Sequence, residues 1–142
     1  MLGVARALIV FPKRPGGQSQ FSLHLLSQAT SHSGIRQAQD WVLSAPAREH
    51  TVAELASKAA MSERNFRRVF AEEVGVSPMT FVEQVRVDAA RRFLEEGDLP
   101  LKTVAQKVGF SSDEQLRRSF MRRVGVTPRE YRQRFATALD EA

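Results

Sequence analysis

An internal repeat constrains the fold of this chain more than any other feature of its sequence. Residues 59–78 read AAMSERNFRRVFAEEVGVSP and residues 109–128 read GFSSDEQLRRSFMRRVGVTP, so that position 66 corresponds to position 116. Both copies keep a double arginine followed by an aromatic residue, and both end in Val-Gly-Val-(Ser/Thr)-Pro. Self-similarity at this scale indicates one supersecondary unit that is present twice.

Each copy carries the pattern of an amphipathic helix with a defined end. In the first copy, Phe66 and Phe70 with Val69 between them have the i, i+3, i+4 spacing of one helical face. Gly75 and Gly125 follow the two helices, and each is followed three residues later by proline. Glycine tolerates the left-handed conformation that ends many helices, so both glycines are predicted to be structural.

A second, shorter helix is predicted in front of each copy, at residues 52–59 and 101–108. Two helices joined by a short turn, with arginines on the second helix, are typical of the helix-turn-helix motif. We therefore predict one unit at residues 51–76 and another at residues 99–126.

The second unit also carries a family resemblance. Residues 86–132 contain a Gly-Phe-Ser turn, a GVTP segment and a following Tyr-Arg pair, and they resemble the DNA-binding domain of AraC/XylS-type transcriptional regulators. The resemblance covers roughly residues 35–135. It implies sequence-specific control of transcription through promoter DNA, with RNA polymerase as a further partner. The expected architecture is all-α, with two helix-turn-helix subdomains joined by a long central helix, about seven helices in all.

The central helix is predicted at residues 78–96, with Pro78 in its first turn and Gly97 after its end. Its apolar residues form two stripes that together cover more than half of its circumference: Val82, Val85, Ala89 and Phe93, and Val87, Ala90 and Leu94. A helix that is apolar on two sides is buried between two bodies. This helix should therefore connect the two units.

Arg86 lies between those two stripes, where a charged side chain needs a partner. Glu83, or an acidic residue from a neighbouring unit, is the expected partner, which makes Arg86 a structural brace rather than a DNA contact. Arg91 and Arg92 are predicted on the polar face, exposed to solvent.

The outward faces of the two longer motif helices are predicted to contact DNA bases through Arg64, Arg67, Arg68, Glu114, Arg117 and Arg118. The alternative is a solvated basic face. Predicted phosphate contacts are Lys58, Ser62, Lys107, Ser111, Ser112 and Arg122. Ser111 or Ser112 is expected to cap the second recognition helix, with Glu114 or Gln115 completing the cap.

The flanking segments are less regular. Residues 1–34 are predicted to be an N-terminal arm or the remnant of an interdomain linker, with a short strand at residues 7–11. The stretch RPGGQSQFS resembles the joint in the AraC subgroup that carries an upstream class I glutamine-amidotransferase-like domain, which is absent from this sequence. The first helix is predicted at residues 35–45, with Trp41 in the core, and the last at residues 128–138.

Composition argues against other functional classes. The chain has no cysteine, and its three histidines are scattered, so neither a metal site nor a catalytic centre is predicted, and no cofactor is expected. The formal net charge of +5 favours an anionic partner. Besides DNA, that partner could be an acidic protein bound by a helical adaptor.

No apolar run approaches the ~20 residues of a membrane span, and a cytoplasmic location is expected. The chain in this form is expected to act as a monomer.

Overall fold

The computed structural model describes residues 32–141, and the side chains of residues 32–136. This part of the chain is all-α, which confirms the predicted fold class. The seven helices are α1 (Ser33–Ser44), α2 (Val52–Lys58), α3 (Glu63–Val74), α4 (Pro78–Glu96), α5 (Leu101–Val108), α6 (Asp113–Val124) and α7 (Pro128–Glu141). The predictions for residues 1–31, including the strand and the interdomain joint, lie outside the described residues.

Local capping explains most of the helix boundaries. The Oγ atoms of Ser62, Ser77 and Ser112 accept hydrogen bonds from the backbone amides at the third helical positions of α3, α4 and α6. The structure thereby selects Ser112 over Ser111 as the cap of α6. Helix α1 begins at Ser33, two residues before the predicted start, because Nδ1 of His32 accepts a hydrogen bond from the Gly34 amide.

Helices α1 to α3 and the beginning of α4 enclose the first apolar core. Its centre is a cluster of three phenylalanines, in which the ring centroids of Phe66 and Phe70 lie 5.4 Å apart and those of Phe70 and Phe81 lie 5.7 Å apart. Trp41 is only partly buried against this core. The prediction of a core tryptophan is therefore correct only in part, because Trp41 packs against the core without being fully buried.

Helices α5 to α7 and the end of α4 enclose a second, separate core. Its fully buried members include Val104, Leu116 and Phe120, and the ring of Tyr131 from α7 packs on Phe120 with centroids 5.4 Å apart. We call the two bodies the N-lobe and the C-lobe. Each contains one helix-turn-helix unit, α2–α3 or α5–α6.

Helix α4 belongs to both lobes. Phe81, Val82 and Val85 are buried in the core of the N-lobe, whereas Ala90 and Leu94 are buried in that of the C-lobe. The expectation of a helix buried between two bodies is thus confirmed. The division runs along the helix rather than around it, because the lobes follow one another along the α4 axis.

The predicted ion pair of Arg86 is wrong. Its Nε donates to the carbonyl of Pro46 at 3.0 Å, and its Nη2 donates to the carbonyl of Arg48 at 2.9 Å. Glu83 is engaged elsewhere, with arginines of α6. Arg86 is a brace, but its partners within the described residues are backbone carbonyls of the α1–α2 loop, which a pattern of side chains cannot reveal.

The prediction that Arg91 is solvated is also wrong. Its side chain is only 4% exposed and its Nη1 lies 3.3 Å from Oδ1 of Asp88. Its Nε donates to the hydroxyl of Tyr131, which in turn donates to the carboxylate of Glu95. These four residues form a buried polar network that joins α4 to α7. Arg92 is exposed, as predicted.

Candidate nucleic-acid interface

Both motif turns use the left-handed backbone conformation. Ala60 follows α2 with φ of 58°, and Gly109 follows α5 with φ of 104°. Glycine adopts this conformation without strain, whereas alanine does so at a cost. In each unit a serine after the turn, Ser62 or Ser112, caps the second helix.

Helix α3 presents its arginines to solvent. Arg64 and Arg67 are exposed and have no hydrogen-bond or ion-pair partner among the side chains of residues 32–136. Arg68 is held on the helix surface, where its Nη2 donates to Oδ1 of Asn65 at 2.7 Å and its Nη1 lies 3.2 Å from Glu72. The structure therefore brings the three predicted base-contacting arginines of α3 together on one exposed face.

Helix α6 presents a different arrangement at the equivalent positions. Glu114 is half-exposed and accepts hydrogen bonds from Arg117, with Oε2 and Nη2 2.6 Å apart, while Nε of Arg118 lies 3.7 Å away. The hydrogen bond from Arg117 lowers the pKa of Glu114 below its usual value, and the same bond raises the pKa of Arg117. This carboxylate therefore stays ionised at neutral pH.

Capping of α6 does not depend on Glu114. Ser112 caps the helix, and the side chain of Gln115 reaches back to accept from the backbone amide of Ser111 at 2.7 Å. Gln115 also accepts from the Ser111 hydroxyl. Between the two residues considered from sequence, Gln115 closes the cap, which leaves Glu114 on the outer face.

The predicted phosphate contacts differ in their availability. Lys107 is exposed near the end of α5. The ammonium of Lys58 lies 3.7 Å from the ring centroid of Trp41, and the guanidinium of Arg48 lies 4.4 Å from the same centroid. Two cations thus lie over Trp41, so a phosphate bound by Lys58 would compete with the ring for the same ammonium group.

Arg122 is also engaged. Its side chain is 60% exposed, and its Nη2 donates to Glu83 of α4, which also accepts from Arg123 at 2.8 Å. Although burial alone would raise the pKa of Glu83, the hydrogen bonds from Arg123 and Arg122 lower it below its usual value. Arg122 therefore holds α6 against α4, besides being available to solvent.

A cleft of about 480 Å³ separates the first turns of α4 from α6. Glu83 and Arg86 line it from α4, and Gln115 and Arg118 line it from α6. Sequence reasoning missed the role of Asn65, whose side chain holds Arg68 on the surface of α3. Its position in the repeat matches that of Gln115, which had been considered as a capping residue, and this match was the signal that would have found it.

Two further observations bear on other kinds of site. Among the residues that the structure describes, no group of three or more His, Asp or Glu side chains is placed to hold a metal ion. None of the helices within residues 32–141 combines the length and the apolar character needed to cross a membrane.

Comparison with known proteins gives consistent matches. A family model described as a helix-turn-helix domain matches residues 55–134. The HTH-type transcriptional regulator Rv1931c of Mycobacterium tuberculosis is 51% identical over 87 residues, which make up 61% of this chain and 34% of that protein. The RCS-specific HTH-type transcriptional activator RclR of Escherichia coli is 33% identical over 93 residues, or 66% of this chain and 33% of that protein. The chain thus spans about a third of the length of these curated relatives.

Solved structures agree with the sequence matches. The DNA-binding domain of AdpA, crystallised in complex with a target DNA, is 31% identical and covers 77% of this chain and 98% of that one, with a TM-score of 0.73. An AraC-type regulator from Chromobacterium violaceum is 22% identical, covers 76% of this chain and 96% of that one with a TM-score of 0.71, and shows the shared fold.

Proposed function

Because this chain belongs to the AraC-type family of helix-turn-helix DNA-binding domains, we propose that it binds duplex DNA at specific sequences and thereby regulates transcription. One observation carries the proposal: two capped helices, α3 and α6, display exposed arginines at equivalent positions of two helix-turn-helix units. Helix α4 connects the two units within one polypeptide chain. A single chain therefore offers two DNA-reading helices.

Base recognition is assigned to the outer faces of α3 and α6. The first turn of a recognition helix reaches deepest into the major groove, and Arg64 and Glu114 occupy equivalent positions in those turns. Arginine donates two hydrogen bonds to guanine O6 and N7, whereas glutamate accepts from cytosine N4. Arg67, Arg68, Arg117 and Arg118 supply the remaining contacts, to bases or to phosphates.

Backbone recognition is assigned to the ends of the motif helices. Free amides in the first turns of α3 and α6, beside the caps Ser62 and Ser112, favour a negatively charged group. Lys58 and Lys107 near the ends of α2 and α5, together with Ser111 and Arg122, complete the proposed set. Contacts of this kind position the protein on the duplex without reading its sequence.

The proposal extends to the partners and the location of the protein. Two recognition helices on one chain allow a monomer to read an asymmetric site in successive major grooves, about 10 bp apart. Promoter DNA is the proposed target, and RNA polymerase bound beside it is a second proposed partner, on the strength of the family resemblance. Such a role requires a location with the chromosome, in the cytoplasm of a bacterial cell.

A salt titration of DNA binding tests the proposal. If the protein neutralises ~5–8 phosphates, the slope of log affinity against log salt should be about −4 to −7. Replacing Arg67 by alanine should weaken binding, whereas Arg36→Ala, an exposed arginine of α1, should leave the affinity and the slope unchanged. The adaptor alternative predicts instead that a polyglutamate competitor binds as strongly as duplex DNA. That result, or the absence of DNA binding at low salt, would refute the proposal.

A further inference from the structure

The two lobes have separate apolar cores, and polar contacts hold them in their relative positions. Extensive helix–helix contact within the described residues occurs inside one lobe or through α4. A connecting helix can curve gently along its length, so contacts outside α4 help to fix the relative positions of the two lobes. Two such bracing contacts are present, centred on Arg86 and Glu83, which both line the cleft between α4 and α6.

The first contact is centred on Arg86, which lies where α4 passes from one lobe to the other. Its guanidinium binds the carbonyls of Pro46 and Arg48 in the N-lobe. A Cβ atom on Gly109, in the C-lobe, would lie only 2.6 Å from Nε of Arg86 and 2.7 Å from the Pro46 carbonyl oxygen. The lobes therefore touch directly at this glycine.

The second contact joins the beginning of α4 to the end of the recognition helix α6. Glu83 lies on the part of α4 that is packed in the N-lobe, between Val82 and Val85. Its carboxylate accepts hydrogen bonds from Arg122 and from both Nε and Nη2 of Arg123, the latter at 3.1 and 2.8 Å. We call Glu83, Arg122 and Arg123 the interlobe clamp.

We propose that the interlobe clamp fixes the separation of α3 and α6, and so makes Glu83 a residue that determines which spacing between two DNA half-sites the protein accepts. The inference rests on the proposed function. Glu83 acts on DNA only through α6, which makes it a positioning residue. The N-lobe half of α4 moves with α3, and the clamp ties that half to the last turn of α6.

The physical reason lies in how two linked binding modules cooperate. When both half-sites can be engaged at once, the second binding event is intramolecular and adds a large factor to affinity. Insertion of one base pair moves a half-site by about 3.4 Å along the duplex and rotates it by about 35°, because one turn of ~34 Å holds ~10 bp. If both contacts brace the lobes, α3 and α6 cannot move to match the shifted half-sites. If only α4 joins the lobes, the two helices can change their relative position and still engage both half-sites.

The first test measures affinity for duplexes of different spacing. The starting duplex is the one that the wild-type protein selects from a random pool, and its half-sites are then moved apart or together by one and two base pairs. Wild type should lose at least about 10-fold in affinity on a one-base-pair change, and Glu83→Gln less than about 3-fold. Arg123→Ala should reproduce the relaxed preference from the other side of the clamp.

Matched measurements separate this effect from general damage. Glu96→Gln makes the same charge change at the exposed end of the same helix and should keep the wild-type preference. Duplexes with one half-site scrambled should bind wild type and Glu83→Gln equally well. If Glu83→Gln keeps the wild-type preference for spacing, or if wild type has no preference, the inference is overturned while the proposed function stands.

A second test needs no DNA. The sequence contains no cysteine, so Gln37→Cys on α1 and Gln106→Cys on α5, both at exposed positions, provide one spin label in each lobe. The distance distribution between the labels should be narrow in the otherwise wild-type chain and broader with Glu83→Gln. An unchanged distribution would overturn the role of the clamp. Failure to bind any duplex would instead refute the proposed function.

Discussion

The carboxylate of Glu114 and the guanidinium of Arg117 lie 2.6 Å apart on the exposed face of α6, within the first two turns of the helix. The equivalent position of α3 holds Arg64, which has no such partner among the described side chains. The two units of the repeat therefore share a fold and present opposite charges at the position that reaches deepest into a major groove.

This difference predicts that the two units read different bases. Site selection from random duplexes with Arg64→Ala should relax a guanine preference in one half-site, and Glu114→Ala should relax a cytosine preference in the other. Each correct contact is worth about 1–3 kcal/mol. Asp113→Ala is the control, because it removes a carboxylate from the same helical turn. If Asp113→Ala and Glu114→Ala behave alike, Glu114 acts only through the helix dipole, and Arg117 and Arg118 must discriminate instead.

Arg86 should contribute to stability rather than to DNA contact. Arg86→Ala leaves the carbonyls of Pro46 and Arg48 without their donor, and we expect a loss of about 2–3 kcal/mol in the free energy of unfolding. Arg86→Lys keeps the charge but cannot bind both carbonyls with the geometry of a guanidinium. Its free energy of unfolding should therefore lie between those of wild type and Arg86→Ala. Urea unfolding measures both, with Arg36→Ala as an exposed control. A variant that unfolds like wild type and yet loses DNA affinity would contradict this role.

The contrast between α4 and its arginines shows what sequence reasoning could and could not supply. The boundaries of α4 follow from signals within a few residues, namely the cap Ser77, the proline at position 78 and the glycine at position 97. The environments of Arg86 and Arg91 depend on groups about 40 positions away. A periodicity argument places a side chain on a face of its helix, but it does not show which loop or helix covers that face.

The candidate site also has features that the sequence could predict and features that it could not. The exposed arginines of α3 were predictable, because the apolar stripe fixes the opposite face of the same helix. The pairing of Glu83 with Arg122 and Arg123 was not, because it joins two helices whose relative position depends on the packing of the whole C-lobe.

The buried network around Tyr131 predicts a change of stability at high pH. Burial, together with the hydrogen bond to Glu95, raises the pKa of Tyr131 to about 12. A raised pKa in the folded state stabilises the protein fully below the unfolded value of about 10, and this contribution is lost as pH rises through the folded value. Stability should therefore fall between about pH 10 and pH 12 more steeply in wild type than in Tyr131→Phe.

Tyr131 is the only tyrosine of the chain, so its ionisation can be followed directly by tyrosinate absorbance. The titration should occur well above pH 10 in the folded protein and near pH 10 in denaturant. Equal midpoints in the two states would contradict the buried network. Tyr131→Phe should also destabilise the protein at neutral pH by about 1–3 kcal/mol, because Glu95 and Arg91 lose a partner.

The stacking of Lys58 on Trp41 makes the only tryptophan of the chain a reporter of phosphate contact. If Lys58 leaves the ring to bind a phosphate, the fluorescence of Trp41 should change when duplex DNA is added. Lys58→Met keeps a long side chain without the charge, and it should abolish this change and reduce the salt slope by about 1. Arg36→Met serves as control. Unchanged fluorescence at saturating DNA would contradict a phosphate contact in which Lys58 leaves the ring.

Guanine methylation interference on the selected duplex, combined with the stoichiometry of the complex, tests most directly the claim that one chain reads two successive major grooves. We predict one chain per duplex, with two clusters of interfering guanines about 10 bp apart on the same side of the DNA. Arg64→Ala should remove interference from one cluster and leave the other. A single cluster bound by one chain, or two clusters that require two chains, would contradict the account.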